Sequence, residues 1–207
     1  YGFKFVQERN AATITPQTFL DGAELTDPQV ENLLVATIAL KYTQSNSVAV
    51  AYDGQVIGMG AGQQSRIHCT RLACDKADKW LLQQHPKVLQ LPFVAGLRKP
   101  EKTNVIDQFL LWEQLSGPER RGMQSSLREE AQSLTREERD EWIGSFRDLC
   151  LSSDAYFPFR DSVDRAAKSN IGAIAHQGGS VRDEEVAVAA EEQNIKLIET
   201  HLRCFLH

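Results

Sequence analysis

Four polar clusters in this chain of 207 residues contain side chains that could bind a ligand or transfer a proton. The first cluster, Lys41–Ser47, consists of seven residues with hydrogen-bonding side chains, between a predicted helix and a predicted core strand. Within it, Asn46 and Ser47 could orient a ligand that carries an amide group. Helix capping and turn formation use the same residue types, so both interpretations stay open at this point.

The second cluster, Gly60–His68, connects a predicted strand to a predicted helix. Its small residues would let a ligand approach the backbone, and the N–H groups at the start of a helix attract anions. Arg66 lies at that start, where a positive charge is unfavourable without an anion nearby. Arg66 therefore indicates either a bound anion or an ion pair with a carboxylate of the chain. The glycine spacing matches neither a P-loop nor a dinucleotide-binding fingerprint.

The third cluster, Ser152–Asp161, follows a predicted strand. Its rigid apolar part, Phe157–Phe159, lies between polar residues and would suit a flat ring. Asp161 could accept two hydrogen bonds from the edge of an amino-pyrimidine, or it could cap the next helix. The cluster therefore predicts either a ring-binding pocket or the start of a helix.

The fourth cluster, Arg203–His207, closes the sequence. Arg203 could bind a phosphate group, and His207 could act as an acid or base because the pKa of a histidine lies near neutrality. A histidine in such a place is more often solvated and without a role. A further turn, Gly178–Ser180, precedes a predicted helix, and we interpret Ser180 as the N-cap of that helix.

Composition and charge exclude several classes of protein. Hydrophobic residues make up 42% and charged residues 25% of the chain, as in ordinary globular proteins. The net charge of −5 argues against binding to nucleic acid or to a membrane surface. The sequence has neither a secretory leader nor a spanning apolar run, so we expect a cytosolic protein. Tyr1–Val6 lacks an initiator methionine and predicts a strand, which indicates a piece of a longer protein.

Neither the histidines nor the cysteines have the spacing of a metal site, so we expect no transition metal and no zinc-dependent deaminase. The sequence also lacks a nucleophile elbow. Cys69 or Cys74 as a nucleophile would have no evident histidine or aspartate partner. The four cysteines are expected to be reduced thiols.

Hydrophobic periodicity and turn residues predict an α/β fold. A long helix would begin with Asp27 as N-cap and Pro28 as the first helical residue. Asp53-Gly54 predicts a two-residue hairpin turn, and a second helix is predicted over Ser65–Gln84. Strands and helices then alternate over residues 150–199, as in a sheet with parallel strands and covering helices.

Residues 87–148 differ from the rest in composition, because they are rich in Glu, Arg, Gln and Leu. They predict short helices, the last of which starts at the capping box Thr135–Glu138. We interpret this stretch as a helical insertion. Residues 1–86 and 149–207 would then form one α/β domain.

In these clusters the sequence resembles AICAR transformylase, the formyltransferase half of the bifunctional purine-synthesis proteins that also carry IMP cyclohydrolase. The resemblance extends over almost the whole chain, and its most specific segments are Lys41–Ser47, Gly60–Arg71, Ser153–Asp161 and Leu202–His207. It implies two cytidine-deaminase-like units, each of three α-β-α layers and without zinc. This chain would be the second unit, its insertion would pack against the missing first one, and the protein would be a homodimer with sites at the subunit boundary.

The resemblance also implies the reaction. A formyl group would pass from 10-formyltetrahydrofolate to the 5-amino group of AICAR, which gives FAICAR and tetrahydrofolate. That amine is a poor nucleophile because it is conjugated to the imidazole, so an enzyme must remove its proton and stabilise the oxyanion. A potassium ion near the turn Lys41–Ser47 is also consistent with the resemblance.

Individual residues receive roles from the resemblance. Asn46 would contact the AICAR carboxamide, and Arg66 would stabilise the oxyanion beside the transferred formyl group. Tyr156 stands at an AICAR-binding position that is often Phe in the family. Arg203 and His207 would lie at the nucleotide, and the catalytic residues would be Asn46, Arg66 and His207.

For the folate, the resemblance implies a pocket that contains Arg66, Ile67, Phe159 and Asp161, with Asp161 facing the pterin. Ser162 replaces a common Asn and would change one polar contact in that pocket.

The family's segment with the catalytic lysine and histidine does not occur in this sequence. An arginine-bearing stretch that helps hold the phosphate and the IMP cyclohydrolase domain are missing too. We therefore expect a partial enzyme that is nearly inactive by itself. The alternatives are a non-catalytic module that binds folate or nucleotide, and a dimerisation scaffold.

Overall fold

The structure of the chain is a computed structural model that describes residues 2–4, 6–8, 10–20 and 24–207. The chain divides into two compact units, one formed by Tyr1–Ala77 with Phe146–His207 and the other by Asp78–Ser145. The helices in chain order are α1 (Asp27–Lys41), α2 (Arg66–Leu82), α3 (Pro86–Leu89), α4 (Lys99–Leu110), α5 (Gly117–Gln124), α6 (Arg136–Gly144), α7 (Asp161–Ala167) and α8 (Asp183–Glu192). No described helix is long and apolar enough to cross a membrane.

The first unit is built on a five-stranded sheet. Its strands are β1 (Val48–Tyr52), β2 (Gln55–Gly60), β3 (Cys150–Ser153), β4 (Ala173–His176) and β5 (Lys196–Glu199). The strand order is β2-β1-β3-β4-β5. β1 pairs antiparallel with β2 and β3, whereas β3, β4 and β5 are mutually parallel. The predicted parallel arrangement is thereby confirmed for the last three strands.

The hairpin between β1 and β2 forms where Asp53-Gly54 predicted it. Both turn residues have positive φ, 51° for Asp53 and 69° for Gly54. Two positive φ angles characterise the type I′ turn, whose twist matches that of paired strands. The side chain of Asn32 in α1 accepts a hydrogen bond from the Gly54 N–H at 2.9 Å, which ties the turn to the helix.

Helix α1 covers one face of the sheet through two apolar clusters. Leu33 packs with Cys150, Ala173 and Ala175, and Ala36 and Leu40 pack with Ala49 and Ala51. Small residues on the strands allow a helix to lie close to a sheet, and dense packing of this kind stabilises the unit. A 2.7 Å hydrogen bond between the hydroxyls of Thr37 and Ser152 satisfies the polar groups in the same layer.

Helix α2 lies against the opposite face. Met59 packs on the α1 side, so its neighbours Gly58 and Gly60 face away from α1. A Cβ atom at Gly58 would lie 2.1 Å from the carbonyl oxygen of Ala73 in α2, and one at Gly60 would lie 2.2 Å from that of Cys69. Only glycine fits at such distances, so the glycine-rich segment sets the approach of α2 to the sheet.

Helix α7 also lies on the α2 side, because Arg165 of α7 forms an ion pair with Asp75 of α2 at 2.7 Å. Together, α7 and α8 provide the crossovers that the parallel strands β3, β4 and β5 require. The first unit therefore has helices on both faces of a central sheet, and the prediction of an α/β fold with three layers is confirmed.

The start of α1 differs from the prediction. Thr26, not Asp27, is the N-cap: its hydroxyl accepts from the N–H of Gln29 at 3.2 Å, and the Gln29 side chain accepts from the Thr26 N–H at 3.1 Å. Pro28 is consequently the second helical residue. This reciprocal capping box satisfies two backbone donors, whereas an Asp27 cap would satisfy one.

Two further expectations are wrong. The described residues of the predicted strand Tyr1–Val6, namely Gly2–Lys4 and Val6, are not in a strand, and Phe3 is 81% exposed, while Tyr1 and Phe5 lie outside the described residues. Alternating aromatic residues alone do not make a strand when they have no sheet edge to pair with.

At α8, Arg182 holds the N-cap position instead of Ser180, and the Asp183 carboxylate accepts from the N–H of Ser180 at 2.9 Å.

The second unit is helical. It contains α3 to α6 and one isolated bridge between Phe93 and Leu127. The start of α6 confirms the predicted capping box, because the Thr135 hydroxyl accepts from the N–H of Glu138 at 3.2 Å and Glu138 accepts from the Thr135 N–H at 2.9 Å. Its largest fully buried side chains are those of Phe109, Leu81 and Met123.

Candidate functional site

A cleft of about 340 Å³ opens in the first unit, at the sheet edge where β3 and β4 end and β1 begins. The side chains and backbone that line it belong to Asn46, Gln64, Ser65, Arg66, Ala155, Tyr156, Pro158, Gln177, Arg203 and Phe205. Four of the residues singled out from the sequence thus meet in one cleft, namely Asn46, Arg66, Tyr156 and Arg203. They come from four separate polar segments of the chain.

The cleft is positively charged in a protein of negative net charge. Among the described residues no carboxylate lines it, whereas the guanidinium groups of Arg66 and Arg203 both do. Arg203 has no acidic partner within the described part of the chain. A cleft with a free guanidinium and several amide and hydroxyl groups suits an anionic ligand with polar edges.

An ion pair between Arg66 and Asp154 is buried beneath the cleft. The Asp154 side chain is fully buried, and the Arg66 side chain is 5% exposed. Nη1 of Arg66 donates to Asp154 Oδ1 and, at 2.9 Å, to the carbonyl oxygen of Ser47. The sequence left open whether a carboxylate of the chain or a bound anion accounts for Arg66, and the structure shows the carboxylate.

Asp154 is also held by the turn that precedes β1. Its Oδ2 accepts hydrogen bonds from the Ser45 hydroxyl, from the Ser47 N–H at 2.9 Å and from the Ser47 hydroxyl at 3.0 Å. A buried carboxylate is tolerated only when its charge is paired and its lone pairs are satisfied. Here both conditions are met, so the pair forms a rigid floor for the cleft.

Arg66 retains donors for a ligand despite these contacts. A guanidinium has five N–H donors, and Nη1 uses both of its donors on Asp154 and Ser47. One N–H of Nη2 donates to Asn46 Oδ1 at 3.2 Å. The second N–H of Nη2 and the Nε–H have no partner among the described residues, so they can donate to an oxygen in the cleft.

Asn46 is oriented from both sides. Its Nδ2 donates to the carbonyl oxygen of Gln63 at 2.9 Å, while its Oδ1 accepts from Arg66. The thiol of Cys69 donates to the Asn46 carbonyl oxygen at 2.9 Å. Burial raises the pKa of the Cys69 thiol, which makes it a poor nucleophile at neutral pH.

In the tail segment, residues 203–207, the Phe205 ring lies close to three other side chains, those of Arg66, Arg203 and His207. The Arg203 guanidinium lies 4.5 Å from the centre of the Phe205 ring, and the Arg66 guanidinium lies 5.9 Å from it. The rings of Phe205 and His207 are 5.3 Å apart, edge to face. His207 does not line the main cleft but a neighbouring one of about 330 Å³, together with Gln7, Glu8, Asn10, Arg203 and Phe205.

Of the residues that the resemblance assigns to folate, Arg66 lines the main cleft, and the others lie outside its lining. Phe159 is exposed, with the Arg182 guanidinium 5.0 Å from its ring centre. Asp161 is the first residue of α7, where Arg160 holds the N-cap position, so the capping interpretation of Asp161 is wrong. Ser162 is fully buried, and Ile67 is half-buried on α2.

The turn before β1 offers oxygen ligands of the kind that an alkali cation prefers. The hydroxyls of Ser45 and Ser47 converge on Asp154 Oδ2. Hydroxyl, carbonyl and carboxylate oxygens suit hard cations, and transition metals are usually held by imidazole or thiolate. Within the described residues, no three His, Cys, Asp or Glu side chains are grouped so that they could hold a metal ion.

Sequence reasoning missed Asp154 and Gln177. Asp154 belongs to a segment that was singled out, and its position directly after a buried strand was a usable signal. Gln177 follows β4 in the same way, because both residues extend from the carboxyl ends of neighbouring parallel strands. Ligands of open α/β sheets commonly bind at that edge.

His176, at the end of β4, is a buried histidine in the neutral form. Its Nδ1 accepts from the Phe157 N–H at 3.4 Å, and its Nε2 has no hydrogen-bond partner among the described residues. Burial lowers the pKa of His176 from 6.5 to about 4. Between these two pH values the unfolded chain binds a proton that the folded chain does not, so stability falls as the pH is lowered.

We expect the substitution His176→Asn, which keeps an acceptor for Phe157, to flatten this pH dependence. Between about pH 7 and about pH 4.5, the wild type should lose about 2 kcal/mol more of its free energy of unfolding than the variant. Urea denaturation at the two pH values measures the difference. Equal losses in both proteins would show that His176 does not titrate in this way.

Comparisons with known proteins identify sequences that are similar to this chain. The sequence profile described as the AICARFT/IMPCHase bienzyme matches residues 1–76. The chain is 29% identical over 202 residues to the bifunctional purine biosynthesis protein PurH of Persephonella marina. That alignment covers 98% of this chain and 27% of the relative, so the chain spans about a quarter of the relative's length. The resemblance stated from the sequence segments is confirmed.

Proposed function

We propose, on the premise that this chain is a relative of the AICARFT/IMPCHase bienzymes of purine biosynthesis, that its cleft serves formyl transfer to AICAR. The donor would be 10-formyltetrahydrofolate, and the products would be FAICAR and tetrahydrofolate. The observation that carries the proposal is the cleft itself, where Asn46, Arg66, Tyr156 and Arg203 meet without a lining carboxylate among the described residues.

Each group in the cleft can be given a part in that reaction. The unpaired guanidinium of Arg203 would bind the phosphate or another anionic edge of AICAR. Asn46 has one Nδ2–H and a lone pair left after its contacts with Gln63 and Arg66. These would bind the AICAR carboxamide, and the ring of Tyr156 would lie against the imidazole.

Arg66 would stabilise the oxyanion that forms as the amine attacks the formyl carbon. Its two unused N–H donors are fixed in direction because Asp154, Ser47 and Asn46 hold the other three. Donors fixed before the reaction need no reorganisation when charge develops, which is the main advantage of an oxyanion hole. The charge of Asp154 offsets that of Arg66, so the group acts as an oriented hydrogen-bond donor more than as a free cation.

The remaining parts of the proposal rest on the resemblance. Besides Arg66, folate would contact Ile67, Phe159, Asp161 and Ser162, and His207 would take part in proton transfer at the nucleotide. A potassium ion near the turn Lys41–Ser47 would use the remaining hydroxyl lone pairs of Ser45 and Ser47, because Asp154 already neutralises Arg66. The protein would be a cytosolic homodimer, and the 207 residues would supply only part of each active site, so that the chain by itself turns over slowly.

Calorimetric titration of the 207-residue chain with AICAR tests the proposal. We expect measurable binding that Arg203→Leu weakens, on the order of tenfold to a hundredfold, because a charge-assisted hydrogen bond is lost. Arg136→Leu serves as the matched control, since Arg136 is an exposed arginine of α6 that pairs with Asp140. Equal weakening by both substitutions, or none by Arg203→Leu, would contradict the assignment.

A titration with a folate substrate analogue tests the other half of the site in the same samples. Weaker binding by Asp161→Asn than by the wild type would support a pterin contact at α7. If the wild type binds neither ligand, the chain is better described as a scaffold that needs other segments to complete the pocket.

A further inference from the structure

The tail segment, residues 203–207, is held along one edge by the floor of the cleft. The Cys204 N–H donates to the Asp154 carbonyl oxygen at 2.8 Å. The Leu206 N–H donates to the Ser45 hydroxyl at 3.0 Å, and the Leu206 carbonyl oxygen accepts from the Ser45 N–H at 2.9 Å. Only the even-numbered residues of the segment take part in these bonds.

The odd-numbered residues bond to two side-chain amides near the start of the chain. Asn10 Nδ2 donates to the Arg203 carbonyl oxygen at 3.0 Å. Gln7 Nε2 donates to the Phe205 carbonyl oxygen at 2.7 Å, and Gln7 Oε1 accepts from the His207 N–H at 2.9 Å. The backbone of the segment is therefore bonded alternately on its two edges, as a strand inside a sheet would be.

The side-chain amide of Gln7 makes the two backbone hydrogen bonds that a neighbouring strand would otherwise make. Its amide offers one acceptor and donors on one rigid group, and it bonds to a carbonyl and an N–H that lie two residues apart on the segment. A residue in a parallel strand makes the same pair of contacts through its backbone. This arrangement favours an extended conformation, in which alternate side chains share one side.

The shared side carries the residues of the segment that line the main cleft or the neighbouring one. Arg203 and Phe205 line the main cleft, and the His207 ring contacts the Phe205 ring edge to face. Cys204, by contrast, is buried on the other side of the segment. A shift of the segment by one residue would exchange these two sets of side chains.

We propose that Gln7 and Asn10 are positioning residues, which hold the tail segment extended and in the register that presents Arg203 to the cleft. The effect on AICAR binding rests on the proposed function, whereas the effect on the segment itself does not. An exposed residue, Gln7, and a half-buried one, Asn10, would thus control the geometry of a segment that lies almost 200 residues away, at sequence separations of 193 to 200.

Amide hydrogen exchange measured by NMR on the 207-residue chain tests the effect on the segment. Gln7→Ala should speed the exchange of the His207 amide roughly five- to tenfold, because one hydrogen bond is lost. The Cys204 amide, bonded to the buried Asp154 backbone, should keep its rate. Gln7→Glu keeps the acceptor for His207 and should restore most of the protection. Gln17→Ala, at an exposed glutamine, is the control.

Titrations with two ligands distinguish a positioning role of Gln7 from a general loss of stability in the Gln7→Ala variant. Gln7→Ala should weaken AICAR binding roughly threefold to tenfold and leave the affinity for a folate analogue unchanged, since the segment carries Arg203 but none of the folate candidates. Unchanged His207 exchange would overturn the inference, and so would unchanged AICAR affinity in a wild type that binds AICAR. If the wild type binds no AICAR, the proposed function fails, and the exchange rates alone decide whether Gln7 holds the segment.

Discussion

Asp154→Asn is expected to lower the free energy of unfolding by about 3–5 kcal/mol, the usual cost of removing one partner from a buried ion pair. The carboxylate is fully buried and satisfies Arg66 together with the donors of Ser45 and Ser47. An asparagine amide in its place keeps the shape but leaves the Arg66 charge buried without a counter-charge. Urea denaturation at neutral pH measures the change.

A matched control and a double variant define what the result means. Glu185→Gln removes a carboxylate from an ion pair with Arg182 in which both side chains are well exposed, and it should cost at most about 1 kcal/mol. The double variant Arg66→Met with Asp154→Leu should recover only part of the stability, since no charge remains unpaired but Ser45 and Ser47 lose their acceptor. A loss of less than about 1 kcal/mol in Asp154→Asn would show that solvent reaches the pair.

Arg66→Ala is expected to lower formyl transfer by about a hundredfold to a thousandfold, the typical effect of removing one oxyanion donor. The activity is measured with AICAR and 10-formyltetrahydrofolate after the chain is recombined with a family polypeptide that carries the lysine–histidine segment. Arg66→Lys should be nearly as slow, because a lysine cannot make the fixed contacts to Asp154, Ser47 and Asn46 and still present two donors to the cleft.

Arg71→Ala is the control for this loss, since Arg71 is an exposed arginine on the same helix. It should leave the rate near that of the wild type. Equal activity in the Arg66 variants and the wild type would rule out the oxyanion role and favour the alternative, a binding or dimerisation module. Folding of each variant is checked by its urea transition, so that a lost fold is not taken for lost chemistry.

Local patterns in the sequence were enough for much of the fold. The hairpin at Asp53-Gly54 and the capping box at Thr135 depend on residues within four positions of each other, so their chemistry can be read directly. The alternation of strands and helices after Cys150 was likewise visible from periodicity. The N-caps of α1 and α8 were predicted wrongly by one or two residues, because neighbouring polar residues compete for the same backbone donors.

The candidate site was predictable in its members but not in its contacts. Asn46, Arg66, Tyr156 and Arg203 stood out from the sequence by residue type and by the resemblance. Their common cleft depends on strand order, which places the end of β3 beside the start of β1. That Asp154 pairs with Arg66 could not be read from the sequence, because 88 residues separate them and several other carboxylates were possible partners.

The sequence by itself thus determined the α/β class, the family resemblance and the polar segments that could form a site, since these depend on short-range patterns. Only the tertiary structure decided which carboxylate neutralises Arg66, which donors of Arg66 stay free, and how Gln7 and Asn10 hold the tail segment. Those contacts join residues 19 to 200 positions apart. Their partners are selected by burial and by the geometry of hydrogen bonds, and neither exists until the sheet and its helices have packed.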